Sequence, residues 1–195
     1  MMMDDAATFS DLEFLVGPER QSFFGLKAIF ARASDVFSKM FFETGLREHT
    51  TGGRVKVEVS DILPAVFEQF QKFVYDLDVK FSYDIVLGVL DVARKYMVKD
   101  LELCCRRWVA REARSVDGAI SLTAAAAHAS SEDWRVSLLH RVESFGTNIL
   151  FSPALALLPF DMLAALLRSP DIVFTREDNV FMAARAWADA AEGRG

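Results

Sequence analysis

Few residues in this chain are of a type that does chemistry, and their spacing limits what that chemistry is. Cys104 and Cys105 are adjacent and are the only two cysteines among 195 residues. Such a pair supplies neither a disulfide framework nor a four-ligand metal site, and fits a reducing cytosol or nucleus. On a helix the two thiols point about 100° apart, one toward a core and one toward its rim. A nucleophile needs a histidine or a helix N-terminus beside it, and the sequence offers neither. His49, His128 and His140 are scattered, and none recurs with cysteine or carboxylate at metal-ligand spacing. Asp4-Asp5, Glu132-Asp133 and Glu177-Asp178 read as solvated or capping acids. No nucleophile elbow, phosphate-binding loop or dinucleotide fingerprint occurs. The expectation is a chain without catalysis, metal or cofactor.

One stretch carries a different kind of chemistry. In "MFFETGLRE", residues 40–48, the apolar Met40, Phe41 and Phe42 run into Gly45, and Leu46, Arg47 and Glu48 follow at once. An apolar side chain fills a shallow pocket on a partner, and a nearby carboxylate adds charge-assisted hydrogen bonds that fix orientation. The competing reading is a surface loop, with Leu46 folded back onto Phe41 or Phe42 and Glu48 solvated.

The bulk numbers bound the frame that must position these residues. With 52% hydrophobic and 26% charged residues the chain has a real core, and seventeen Phe point to a Phe-rich core or to interaction surface. A net charge of -6 disfavours binding to a nucleic-acid backbone, which needs a basic stripe. No apolar run is long enough to span a bilayer, and the acids of "MMMDDAATFSD" stand where a secretory leader carries Lys or Arg.

Along the chain, "LEFLV" alternates and Gly17-Pro18-Glu19 turns it back into "RQSFF", so a strand pair is expected. Leu26, Ile29, Phe30 and Ala33, then Phe37, Met40 and Phe41, recur at helical spacing, with Ser34 placed to cap the second helix. "RVKVEV" returns to period two with Val55, Val57 and Val59 on one face. Pro64 suits a first helical position, and the stripe Val66, Phe67, Phe70, Phe73 and Val74 follows. Ser82 heads another helix, and "DLELCCRRWVAREA" one more. Asp117-Gly118 marks a joint, beyond which Ala- and Leu-rich segments read as successive amphipathic helices; Thr175 with Asp178 resembles a capping box. Strands mixed with helices, then helices alone, predict α+β followed by all-α.

The order of these pieces resembles the BTB/POZ domain over roughly 110 residues. Asp11, Phe14, Lys27, Ser34, Phe37, Met40, Asp61, Ile62, Pro64, Phe67, Tyr75, Ala93, Lys95 and Tyr96 fall on the family pattern in sequence. Leu26 stands where the family has His, and Tyr75-Asp76-Leu77 replaces its Tyr-Thr-Gly turn. The tail, "SPALALLPFDMLAALLRSPDIVFTREDNVFMAARAW", resembles a shortened BACK domain through Leu158, Pro159, Leu163, Val180, Phe181 and Trp187.

The resemblance implies a small mixed sheet with packed helices, then a BACK-like helical region. It divides the chain into a disordered lead 1–8, a BTB/POZ domain 9–115 and a BACK-like domain 116–195, without a Kelch region. It implies an adaptor that brings substrates to a cullin-3 ubiquitin ligase, with Leu46 and Glu48, helped by Phe41 and Tyr75, as cullin-binding residues. It places Phe30, Phe37 and Met40 at a dimer interface and Asp11 and Lys27 in a polar pocket. Expected partners are cullin-3, a second BTB chain and an unidentified ubiquitylation substrate, in cytoplasm or nucleus, with no nucleic acid and no membrane. The alternative is a BTB scaffold that assembles without cullin.

Overall fold

A computed structural model describes residues 9–43, 53–127, 132–174 and 176–192. The lead 1–8, the segment Leu46-Arg47-Glu48 with His49, and also His128 and Thr175, lie outside the described residues. The chain forms two compact units, residues 1–106 and 107–195.

The first unit holds β1 (Leu12–Val16), β2 (Gln21–Gly25), α1 (Lys27–Ala33), α2 (Asp35–Phe42), β3 (Val55–Val59), α3 (Pro64–Val74) and α4 (Tyr83–Lys95). The division between units falls within α5 (Lys99–Glu112). The strands make one sheet in the order β2-β1-β3. β1 runs antiparallel to β2, Phe14 opposite Phe23, and parallel to β3, Phe14 opposite Val57. Parallel pairing needs a long crossover, which α1 and α2 supply.

β3 shows the alternation its sequence predicts, with Val55, Val57 and Val59 buried and Lys56 and Glu58 exposed. β1 departs from it, because a central strand is shielded by both neighbours: Glu13 is only 7% exposed. Its carboxylate accepts a 2.9 Å hydrogen bond from the Ser22 hydroxyl and lies 3.2 Å from Nζ of Lys56, its cross-strand neighbour. Burial pushes the Glu13 pKa up, but the hydrogen bonds from Ser22 and Lys56 and the charges of Lys56 and Arg54 outweigh it, leaving the group below its ordinary range.

Phe14 is the hub of the core. Its ring centroid lies 4.8 Å from that of Phe30, 4.9 Å from Phe67 and 5.6 Å from Phe37, and all four side chains are fully buried. This corrects the placing of Phe30 and Phe37 at a dimer interface: α1 and α2 turn their apolar stripes onto β1, so neither ring offers surface to a partner. Met40, on the flank of α2, keeps partial exposure. Ser34 caps α2 as expected, accepting from the Phe37 amide, and donates to the Tyr96 carbonyl at the end of α4. Pro64 opens α3 as expected. α3 and α4 approach closely at Gly88, where a Cβ would sit 2.8 Å from Cγ2 of Val66.

Only helices occur among the described residues of the second unit: α6 (Val116–Ala126), α7 (Glu132–Glu143), two 3-10 turns (Gly146–Phe151 and Pro153–Leu157), α8 (Phe160–Arg168) and α9 (Glu177–Glu192). Ile120, Val142, Ile149, Leu158, Leu163 and Leu166 form its core. Trp187 of α9 packs against this core and donates its indole N–H to the Leu158 carbonyl at 2.8 Å. The joint before α6 lies earlier than Asp117-Gly118. Ser115 caps α6 by accepting from the Gly118 amide, which places both expected joint residues in the first helical turn. A Cβ at Gly118 would lie 2.2 Å from the Glu112 carbonyl oxygen, so close backbone approach explains that glycine.

Glu13 gives a pH-dependent prediction. Its depressed pKa means the stabilisation is fully present above the unfolded glutamate value of about 4.3 and is lost as pH falls through the folded value. Thermal melts of wild type and Glu13→Gln should therefore show a Tm gap at neutral pH that narrows below about pH 4. A gap independent of pH would sink this account.

Candidate docking surface

The N-terminus of α1 organises the residues singled out by sequence. Leu26 occupies its cap position and has no side chain able to satisfy the first amides. Other elements do so instead. Oδ1 of Asp11 accepts from the Lys27 backbone N–H at 2.8 Å, and the Tyr75 hydroxyl oxygen accepts from the Leu26 N–H at 2.9 Å. Asp11 and Lys27 are thus brought together, but through the Lys27 main chain rather than its ammonium. Tyr75 is half-buried, and burial followed by the nearby Asp11 charge raises its pKa, partly offset by the Leu26 amide. Nε2 of Gln71 adds a 2.6 Å hydrogen bond to the Phe24 carbonyl.

Two open grooves flank this arrangement. The first, about 460 Å³, runs between Phe9, Phe24, Leu26, Gln71 and Tyr75 and is mainly apolar. The second, about 370 Å³, lies where the α1–α2 joint, the end of α3 and the α4–α5 joint meet, and is lined by Arg32, Asp35, Asp76, Met97, Lys99 and Asp100 among others. Its rim is built from two matching helix ends. Asp76 (φ 55) and Met97 (φ 56) are both left-handed. Asp76 N–H bonds to the Phe73 carbonyl and Leu77 N–H to the Lys72 carbonyl; Met97 and Val98 repeat this with Arg94 and Ala93. These are Schellman ends with a side chain where glycine is usual. Arg32 closes the rim with a 2.9 Å ion pair to Asp76, both side chains mostly exposed.

Of the expected cullin-binding residues, Tyr75 lines the first of these grooves. Phe41 is buried, its ring stacked 5.6 Å from Phe37. Its neighbour Phe42, one helical step round, is 55% exposed. Leu46 and Glu48 lie outside the described residues. Sequence reasoning missed the Arg32–Asp76 pair and the exposed Leu77 and Met97. No periodicity marks them, because they sit on turns that meet only in the folded chain.

The cysteines fall as their helical phase implies: Cys105 is buried and Cys104 exposed. Burial, with Cys104 and Glu102 nearby, pushes the Cys105 pKa to about 12, so that thiol stays protonated at neutral pH. Among the described residues no group of His, Cys, Asp and Glu is arranged to hold a metal ion, and no helix is long and apolar enough to cross a membrane.

A family model for the BTB/POZ domain matches residues 2–111. The chain belongs to the BTB/POZ domain family. BTB/POZ domains are protein-interaction modules, and this sheet with its surrounding helices is the BTB fold. Similar proteins include human BTB/POZ domain-containing protein 3, 26% identical over 190 residues that cover 96% of this chain and 35% of that protein. Zebrafish BTB/POZ domain-containing protein 6-B is 26% identical over 195 residues, covering 97% of this chain and 38% of its own length. The chain therefore spans little more than a third of the length of these relatives. Among solved structures, the BTB domain of zebrafish PATZ1 aligns with a TM-score of 0.46 at 21% identity, covering 55% of this chain and 81% of that one.

Tyr75→Phe tests how firmly the α1 N-terminus is held. Loss of the acceptor for the Leu26 amide should cost about 1 kcal/mol in urea unfolding, the usual net worth of one such bond. No loss would mean that water replaces the hydroxyl freely.

Proposed function

We propose that this BTB/POZ chain is a non-catalytic substrate adaptor for a cullin-3 ubiquitin ligase, acting in cytoplasm or nucleus. The observation that carries the reading is the BTB/POZ match together with the spacing Leu46-Arg47-Glu48, which follows the Met40-Phe41-Phe42 helix end after three intervening residues. Leu46 supplies the apolar knob and Glu48 the carboxylate. The exposed Phe42 adds an apolar side chain four residues before Leu46 in sequence. Tyr75 keeps the α1 N-terminus, and with it the neighbouring grooves, in place.

The helical unit from residue 107 onward, read as a BACK-like arm, carries or receives the substrate. The adaptor supplies proximity: it raises the local concentration of substrate beside the transferred ubiquitin. Pairing of two BTB units would use the face around Met40, where Val36, Lys56, Glu58, Lys95 and Tyr96 line a groove of about 530 Å³.

Calorimetric titration of the full chain with the N-terminal region of cullin-3 tests the reading. Wild type is expected to bind at micromolar strength or better, and Glu48→Lys to lose at least tenfold, about 1.4 kcal/mol. A folded, self-associated wild type that gives no heat with cullin-3 would favour a BTB scaffold that assembles without it.

A further inference from the structure

The last helix presents an unusual outer face. α9 buries Ala183 and partly covers Val180 and Trp187 on one side. At 100° per residue the opposite side carries Asp178, Phe181, Met182, Arg185 and Asp189. All five are exposed, Phe181 and Met182 at 68% each. A surface helix normally keeps large apolar side chains off its solvent face. Here the two largest apolar residues of the outer stripe sit side by side, bracketed by an acid one turn before and a base one turn after.

That order is self-complementary. When two copies of α9 lie antiparallel about a two-fold axis passing between positions 181 and 182, Phe181 of each faces Met182 of the other. The same operation sets Asp178 against Arg185, twice. A register centred near 183 or 184 would oppose Asp178 to Asp189, and one centred on 187 would pair Arg185 with Asp189 around Ala186 and Ala188, leaving Phe181 and Met182 without each other. Among registers that set charges of this five-residue stripe against each other, this one alone also joins Phe181 to Met182. The charges are available for it: among the described residues Arg185 has no hydrogen bond or ion pair, and Asp178 holds only an exposed 3.2 Å contact with Arg176. Exposed pairs of that kind are weak and exchange readily. We infer that the outer face of α9 is a self-association surface whose partner is a second copy of this chain, joined by an antiparallel, two-fold helix pair. An isologous contact of this kind uses the same patch on both copies. It does not depend on whether cullin binds.

Charge reversal tests it on the full chain, by sedimentation over a range of concentrations. Asp178→Arg and Arg185→Asp should each weaken association by about tenfold or more, because each opposes like charges twice. An equimolar mixture of the two variants should recover wild-type association. One copy then carries a base at both positions and the other an acid at both, so each of the two contacts again joins opposite charges. The double variant, in which acid and base simply change places, should recover it as well. Because both single variants take part in the recovery, misfolding cannot mimic it. Single variants that associate like wild type would overturn the inference, as would a mixture that stays weak. If a different partner or a following segment of a longer chain covers the face, wild type shows no association sensitive to these changes, and the inference falls. Association through the BTB unit alone would also leave all variants equal, overturning this pairing while leaving the cullin titration untouched.

Discussion

The first unit depends on the contacts around Phe14. The sheet of three strands among the described residues has little surface of its own to bury, and β1 lies between the other two. By placing an aromatic ring at its midpoint, the strand gives α1, α2 and α3 one common anchor through Phe30, Phe37 and Phe67. Aromatic pairs at these separations add about 0.5–1.5 kcal/mol each beyond the area they bury. The cluster continues outward through Phe70 and Tyr96, whose ring stacks 4.4 Å from Phe37. Elements far apart in sequence are in this way fixed to the same few rings.

Around that core the polar contacts act as spacers. Ser34 fills two roles with one hydroxyl, starting α2 and holding the end of α4. Asp11 and Tyr75 start α1 from outside the helix. Each links a backbone group that would otherwise be unsatisfied to an element remote in sequence. The turns of the surface grooves are therefore held at positions set by the core, which is what an interaction module requires of its binding loops.

Much of this was legible in the sequence, for identifiable reasons. The alternation of Val55, Val57 and Val59, the cap at Ser34 and the proline at position 64 are local signals, and each reports a local fact. Phe30 and Phe37 misled because an apolar stripe reads the same whether it faces a core or a partner; only the sheet behind them decides. The alternation of LEFLV puts Glu13 on the face opposite Phe14 but does not tell how buried that face is; its burial follows from β1 being central, which strand order determines. Asp117-Gly118 looked like a break because glycine commonly ends helices, yet here it permits close packing just inside one. The two left-handed helix ends at Asp76 and Met97 carried no glycine to announce them.

The near contact between α3 and α4 bears on how this sequence is able to change. Gly88 and Val66 divide one small volume between two helices, and valine, branched at Cβ, has few rotamers with which to yield. Neither position drifts freely while the other stays. Alanine at 88 fits only where residue 66 gives way, so the energetic effects of changes at these two positions, twenty-two residues apart in the chain, are coupled rather than additive.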